Sequence, residues 1–509
     1  MLAELTLPEA EVSEIDGGQG TLKIKISKQQ LNARLGGIMP RSTAIFLHKL
    51  VSPAPIDSSI WEVANAWVKA GVLPAALRRF LLRLPPELPG MNTSDSLVLS
   101  GETAADAAVR VVASMQNSAL CIQGPPGTGK TTTAARMIAR LLQSGKRVGV
   151  TSNSHKAIQN LLRKTNAIMP GGLKGVCAPK GGEEAQADNA ALKKDCPGLV
   201  LARNSEEAAQ IYTAGLIAGT AWLLAREDMK ERLDYLFVDE AGQVSLANLA
   251  GMSRCAKNLV LMGDQMQLEQ PIQGTHPGES GQSALNYYLQ EHATIPDTLG
   301  IFLGVSYRMH PNICRFISDM AYEGRLHAAP ENQAQQLALP ADGTKLVRQD
   351  CGIVFSPIEH DGNTQGSDEE VQRIADIANE LLGRGLTDRD GKTSRLTLMD
   401  ILFVAPYNMQ VRKLQERFPD ARVGSVDKFQ GQEAPVVIVS MCSSAGEFGS
   451  RGLEFLLDKN RMNVAISRAQ TLVVVVGDPR IATTQASTVE QMEKLNVFCR
   501  LAENHEPVP

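Results

Sequence analysis

Eight consecutive residues, Gly124-Pro125-Pro126-Gly127-Thr128-Gly129-Lys130-Thr131, carry the most specific chemistry in this 509-residue sequence. The glycines free the backbone to turn its N–H groups inward, as wrapping an oxyanion requires. The loop follows the apolar run Leu120–Gln123 and leads into the helical stretch Thr132–Leu142. A helix N-terminus therefore adds its positive end at the same point. A phosphate suits such a cradle, with Lys130 reaching the outer phosphates and Thr131 offering its hydroxyl to Mg2+. Pro125 and Pro126 stiffen the loop.

A second segment supplies carboxylates. Tyr235-Leu-Phe-Val runs directly into Asp239-Glu240. Asp239, at the end of a buried strand, can hold Mg2+ through water, and Glu240 can orient and deprotonate an attacking water. Breaking a phosphoanhydride also needs positive charge at the terminal phosphate in the transition state. Two arginines are candidates: Arg308 in Ser306-Tyr-Arg-Met-His-Pro311, and Arg468 near the end of the stretch Asn460–Ala469. His310 sits beside the first, but the eight histidines show no ligand spacing, so it reads as a structural residue.

The elements that must position these groups are strands buried on both faces. Near-continuous apolar runs occur at Leu120–Gln123, Val148–Thr151, Tyr235–Asp239, Leu259–Met262, Ile401–Ala405, Val436–Ser440 and Leu472–Val476. Helical stretches separate them, which implies βαβ crossovers and parallel sheets. The fold class expected is α/β, with two parallel-sheet domains and a small β-rich accessory region with a helical stalk at the N-terminus. Expected boundaries are 1–92 for the accessory region and stalk, 93–275 for the first domain and 276–509 for the second. The turn-rich interval Pro271–Gly300 marks the break. Thr21–Ser27 alternates as a strand, and residues 58–84 read as helical up to Pro85, Pro86 and Pro89. The Gly-, Ala- and charge-rich stretch Pro170–Glu207 reads as an insertion, set at about 165–210.

Composition narrows the class further. Hydrophobic residues make up 43% and charged residues 21%, a globular balance, while aromatics at 4% make the cores aliphatic. A net charge of −4 excludes a polybasic tail protein, yet residues 21–50 hold six basic residues and no acidic one. No apolar run reaches membrane-helix length, and residues 1–20 carry five acidic residues and no basic ones, unlike a signal peptide. The eight cysteines form no CxxC pair, so they read as free thiols in a reducing cytoplasm.

The ordered series of segments resembles superfamily 1 helicases. It is most similar to the B subgroup, on the branch of the nonsense-mediated-decay helicase. The matching pieces are Gly124–Thr131, Thr151-Ser-Asn-Ser154, Gly219-Thr220, Asp239-Glu-Ala-Gly-Gln243, Gly263-Asp-Gln-Met-Gln267 and Tyr307-Arg-Met-His-Pro311. Ala405-Pro-Tyr-Asn408, Ser425–Glu433 and Asn463–Ala469 complete the set, over about residues 100–485. The closest likeness is to the helicase half of bacterial nuclease–helicase fusions with a RecB-like nuclease. The resemblance implies two RecA-like domains, ATP and Mg2+ as cofactors, and ATP hydrolysis coupled to 5′→3′ movement on single-stranded DNA or RNA, DNA preferred. It implies a nucleotide held by Gly124 to Thr132 with Tyr307 on adenine and Glu433 on the ribose. Gln267 would sense the γ-phosphate, and Arg308 and Arg468 would be arginine fingers. Asn153, Thr220, Pro406, Tyr407 and Ser425 would hold nucleic acid, with Tyr307 and Tyr407 as stacking candidates. A nuclease, fused or separate, is the implied partner. The chain has no room for one, and a monomer is expected.

Two departures bear on this. The window Glu102–Val109 lacks the adenine-reading Gln of many relatives and has Ala105 there, which leaves other nucleoside triphosphates open. Glu269 stands where relatives have a small residue; it either slows hydrolysis or points to solvent. The competing function is an ATP-driven clamp or remodelling switch that never unwinds, or the motor fragment of a nuclease–helicase.

Overall fold

The computed structural model describes residues 11–16, 21–25, 27–29, 32, 52–269, 276–339, 346–446 and 452–503. The chain divides into two compact units, Met1–Ala54 and Pro55–Pro509. In the first, β1 (Glu11–Asp16) pairs antiparallel with β2 (Thr21–Lys25). The strand expected at 21–27 is thus present over 21–25, and most of the basic run 21–50 lies outside the described residues.

The second unit holds two parallel sheets. The first is built from β3 (Ala119–Gln123), β4 (Val148–Thr151), β5 (Gly175–Cys177), β6 (Leu199–Leu201), β7 (Leu216–Ala218), β8 (Leu233–Val238), β9 (Ala256–Gly263) and β10 (Gly300–Phe302). Their order is β10-β3-β9-β8-β4-β7-β5-β6, with every pairing parallel. Two short pieces, β11 (Val305–Ser306) and β12 (His327–Ala328), pair with each other beyond it. β13 (Gln336–Leu337) belongs to a small antiparallel sheet, and β14 (Gly352–Pro357) opens the second parallel sheet. β15 (Gly385–Thr387) and β16 (Thr393–Arg395) complete the antiparallel sheet. β17 (Ile401–Val404), β18 (Arg422–Gly424), β19 (Ala434–Ser440) and β20 (Ala469–Gly477) join β14 in the order β14-β20-β19-β17-β18, all parallel. The expected α/β class with two RecA-like domains is what the chain forms.

The apolar runs explain themselves by two-sided burial. Along β3, Ala119 and Cys121 enter one core while Leu120 and Ile122 enter another. Along β20, Val473 and Val475 face one side and Leu472, Val474 and Val476 the other, all fully buried. Each such side chain contributes about 1.5–3 kcal/mol relative to exposure. Leu259 and Leu261 of the first sheet share a continuous core with Val473 and Val475 of the second, so the sheets are coupled by packing.

Three expected boundaries are corrected. β10 pairs with β3, so the first sheet continues past residue 275 and the break at 275/276 does not divide the sheets. The cause is polar: Gln123 Oε1 accepts from Ile295 N (2.7 Å), and Gln123 Nε2 donates to Ala293 O (2.9 Å) and Gln265 Oε1 (2.9 Å), pinning 293–302 to the first domain. The presumed insertion at 165–210 is no loop; it supplies β5, β6 and two helices and extends the sheet at its edge. The expected 58–84 helix is two helices, Ala54–Ala70 and Ala75–Leu81, and residues from 55 belong to the larger unit. Ser59 Oγ donates to Gly251 O (2.6 Å), and Phe80 stacks on Tyr288 with centroids 5.1 Å apart.

Candidate nucleotide site between the two sheets

The C-terminal ends of the first sheet's strands carry the candidate chemistry, the edge where open parallel sheets place their ligands. After β3 the chain enters the loop at once. Gly127 (φ +76°) and Gly129 (φ +78°) take left-handed backbone, and Gly129 caps the helix Lys130–Gln143 without a side chain. The first-turn N–H groups are therefore left for a ligand's oxygens. Thr128 Oγ1 donates to Pro125 O (2.8 Å), which tightens the loop. Lys130 Nζ donates to Gly124 O and, at 3.4 Å, to Pro125 O, so its ammonium lies along the cradle. Thr131 is half-buried and Thr132 exposed in the same first turn.

β8 delivers Asp239 and Glu240. Glu240 has φ +54°, a left-handed turn that costs a non-glycine residue about 1 kcal/mol or more. Its N–H donates to Asp239 Oδ1 (3.0 Å). Asp239 is buried, and desolvation, reinforced by the charge of Glu240 and opposed by that of Lys130, pushes its carboxyl up to about 7. Such a carboxyl suits a divalent cation, whose charge would restore the anion. Among the described residues, no group of three or more His, Cys, Asp or Glu could hold a metal. A cation at Asp239 and Thr131 would complete its shell from phosphate and water oxygens, the usual habit of Mg2+.

The segment after β11 leans on the loop. Tyr307 N donates to Gly127 O (2.8 Å) and Ser306 Oγ to Pro126 O (3.2 Å). Tyr307 is 52% exposed, so its ring is open to a ligand base. Arg308 Nε lies 2.6 Å from Glu433 Oε2, and its Nη1 donates to Ser467 O (2.9 Å). Glu433 also accepts from Gln470 Nε2 (3.1 Å); burial presses its pKa upward, but Arg308 prevails and holds it below the usual range. Arg468 is almost fully buried, donating from Nε to Val464 O (2.9 Å) and from Nη1 to Gln432 O (3.2 Å). Burial first, then the charge of Arg308, lowers its pKa to about 9, while Glu240 pulls the other way. The guanidinium stays charged at neutral pH. Glu433 and Arg468 immediately precede β19 and β20, so the N-terminal edge of the second sheet meets the C-terminal edge of the first.

The other candidates lie apart from this cleft. Asn153 follows β4 and donates to Gln243 O (2.5 Å), and Thr220 follows β7 as a helix N-cap. Pro406 and Tyr407 follow β17 and Ser425 follows β18, on the edge of the second sheet opposite Arg468. Tyr407 departs from its expected use as a base-stacking ring. It is 5% exposed and packs on Phe455 with centroids 5.2 Å apart.

Gln267 is buried and donates from Nε2 to Asp264 Oδ2 (3.0 Å). Glu269 is exposed and accepts from Asn286 Nδ2, which turns it onto the helix Ala284–Leu289. Ala105 lies in the first turn of the helix Ala104–Ser114. His310 caps the helix Pro311–Ala321 through Nδ1, which accepts from Asn312 N (3.2 Å), a structural role as expected. Sequence reasoning missed Asn332 and Gln335. Their amides donate to Ser306 O (3.0 Å), Met309 O (2.9 Å) and Arg308 O (3.0 Å), holding the Arg308 segment. Nothing in the spacing of those residues announced it. Asp264 and Asn463 lay within recognised segments but had no assigned role.

Residues 103–278 match a family model described as an AAA domain, and residues 281–480 match a second with the same description. The DNA replication ATP-dependent helicase/nuclease JHS1 of Arabidopsis thaliana is 26% identical over 70% of this chain and 27% of its own length. The DNA polymerase alpha-associated DNA helicase A of Schizosaccharomyces pombe is 26% identical over 70% of this chain and 60% of its own. The DNA-binding protein SMUBP-2 of Mesocricetus auratus is 27% identical over 73% and 42%. The chain thus spans between about a quarter and three fifths of these relatives. A solved structure of an arterivirus nonstructural protein 10 (helicase) with DNA aligns over 74% of this chain and 64% of that one. Its identity is 15% and its TM-score 0.40. Among the described residues no helix is long and apolar enough to cross a membrane.

Proposed function

We propose that this chain, built from two AAA domains, is a superfamily 1 helicase motor of the B subgroup that hydrolyses ATP to move along single-stranded nucleic acid. Movement is 5′→3′, on DNA in preference to RNA, with separation of the duplex ahead. The observation that carries this reading is a convergence. The loop Gly124–Thr131 with the Arg308 segment resting on it, the pair Asp239–Glu240, and Arg468 from the edge of the second sheet come together where the two parallel sheets meet.

In this reading the amides from Gly124 to Thr132 and the Lys130 ammonium take the ATP phosphates. Thr131 and Asp239 would hold Mg2+, which when bound would supply positive charge against the phosphate oxygens. Tyr307 packs on the base and Glu433 binds the ribose. Glu240 positions the attacking water and takes its proton. Gln267 reads the terminal phosphate. Arg308 and Arg468 neutralise charge building on the transferred phosphoryl group, an effect of about 2.7–4 kcal/mol for a single well-placed donor. Both arginines come from beyond the first sheet, so the phosphate state biases how closely the two sheets approach. Asn153 and Thr220 on one domain, and Pro406 and Ser425 on the other, grip the strand at separate points. A change in their separation then moves the strand. Those contacts are to the backbone, so binding is weakly sequence-dependent and strongly salt-dependent. The motor works as a monomer in the cytoplasm, with a nuclease, fused or separate, as its partner.

The test is displacement from duplexes bearing a 5′ or a 3′ single-stranded tail, in DNA and in RNA, with ATP and Mg2+. The reading expects displacement from the 5′-tailed DNA. Displacement only from the 3′-tailed substrate overturns the polarity. Strong strand-dependent hydrolysis without displacement of any substrate identifies a clamp or remodelling switch in place of a helicase.

A further inference from the structure

Tyr322 belongs to none of the segments that carry the resemblance, and its hydroxyl is completely buried. The residue follows directly on the helix Pro311–Ala321. Its hydroxyl donates to Asp264 Oδ2 (2.7 Å) and accepts from Asn463 Nδ2 (2.9 Å). Asp264 follows β9, and the same carboxylate oxygen accepts from Gln267 Nε2 (3.0 Å). The charge of Lys130 also bears on Asp264. On the other side, Asn463 sits in the helix Lys459–Ile466, donates to Met266 O (2.7 Å), and accepts from Ser467 N through its own carbonyl (3.0 Å). Arg468 is the next residue, tied by Nε to Val464 O (2.9 Å). One hydroxyl thus joins the end of the first sheet to the helix that leads into Arg468.

We infer that Tyr322 is a positioning residue that couples the occupancy of the nucleotide cleft to the placement of Arg468. Gln267 and the Tyr322 hydroxyl share Asp264 Oδ2, so a Gln267 amide drawn toward a terminal phosphate leaves more of the orienting of this buried carboxylate to Tyr322, with Met266 N on the other oxygen (3.2 Å). Among the described residues Asn463 Oδ1 is buried with no hydrogen-bond partner, which gives the network a second acceptor to use when its donors are redistributed. Burial, with Asp264 adding to it, raises the Tyr322 hydroxyl well above the ordinary phenol range, so it remains a donor at any working pH. The inference rests on the motor reading for the role of Arg468.

The test is steady-state ATP hydrolysis by the full chain carrying Tyr322→Phe, which removes one oxygen. Hydrolysis is measured with and without single-stranded DNA, beside a thermal melt. The expected result is a kcat lower by about ten-fold with KM for ATP within about two-fold, since an oriented charge acts in the transition state more than in binding. Asn463→Ala reaches the same joint from the other side and should give the same split. The double variant should then be no slower than the worse single variant. A kcat within two-fold of wild type in either soluble variant overturns the inference, as does a rise in KM with kcat unchanged. A wild-type chain whose hydrolysis ignores single strands contradicts the motor reading; the basal kcat of the two variants then still decides on Tyr322.

Discussion

Arg308 and Glu433, 125 residues apart, pair at 2.6 Å at the border between the two sheets. The family resemblance gives them separate duties, a finger for one and the ribose for the other. In this structure each holds the other. Glu433 is 48% exposed, so the pair contributes about 1 kcal/mol or less to stability. Its effect is on geometry: with Gln470 and Ser467 it fixes where the Arg308 guanidinium points. Glu433→Gln keeps the shape and removes the charge. We expect kcat for ATP to fall by about ten-fold, with the melting temperature nearly unchanged. Steady-state kinetics beside a thermal melt checks this, and an unchanged kcat would detach Glu433 from positioning Arg308.

Lys130 lies along the phosphate loop and contacts only its carbonyls, Gly124 O and Pro125 O, among its described hydrogen bonds. Lys130→Ala should lower hydrolysis by at least about a hundred-fold, because the ammonium is the loop's only side-chain charge. Single-strand affinity should stay within about three-fold, since Asn153, Thr220, Pro406 and Ser425 lie elsewhere. Fluorescence-anisotropy titration of a labelled strand measures the second quantity. Collapse of both together would contradict the division of roles.

Gly127 is a steric hinge between the loop and the Arg308 segment. Its φ is +76°, and a Cβ there would lie 2.6 Å from Arg308 Cβ and 2.8 Å from Ser306 Oγ. Gly127→Ala should therefore push the loop and the Tyr307–Arg308 segment apart, strain of about 1–3 kcal/mol. The expected readout is nucleotide affinity lower by about ten-fold or more, measured with a fluorescent ATP analogue, while far-ultraviolet circular dichroism keeps its wild-type shape. Unaltered affinity would show that the segment need not rest on the loop.

Asp239 makes stability depend on pH in a stated direction. Its folded carboxyl is raised to about 7, above the unfolded value near 4, chiefly by burial. The folded protein therefore binds the proton more tightly, and stability falls as pH rises from about 4 to about 7. Asp239→Asn removes that term. Without nucleotide or metal, the variant should melt at least about 2 °C above wild type at pH 8, with the gap shrinking toward pH 5. Its hydrolysis should be lost. A constant gap across that range would show that Asp239 is ionised throughout.

The central strands were legible because burial on both faces leaves no choice of residue. Leu472–Val476 and Leu259–Met262 could hardly be anything else. β5, β6, β7 and β10 are three residues each, and so short a run becomes a strand only through its neighbours. That the first sheet takes a strand from beyond residue 275 was hidden for a related reason. Gln123 looked like the last residue of a strand, but its amide reaches Ala293 and Ile295, some 170 residues on. Loop, carboxylate pair and arginines were readable because their chemistry fixes both residue type and local spacing. Tyr407 was not, since the ring that covers it, Phe455, comes from a distant helix, Gly452–Leu456.

On the proposed function, ATP hydrolysis in the cleft is tied to a single strand held across both domains. The direct measurement is the hydrolysis rate of the full chain as single-stranded DNA is titrated in at fixed ATP and Mg2+, with Lys130→Ala as the blank. The account predicts a saturable rise of about ten-fold or more, weakening as salt is raised. A rate that is the same with and without the strand would contradict it.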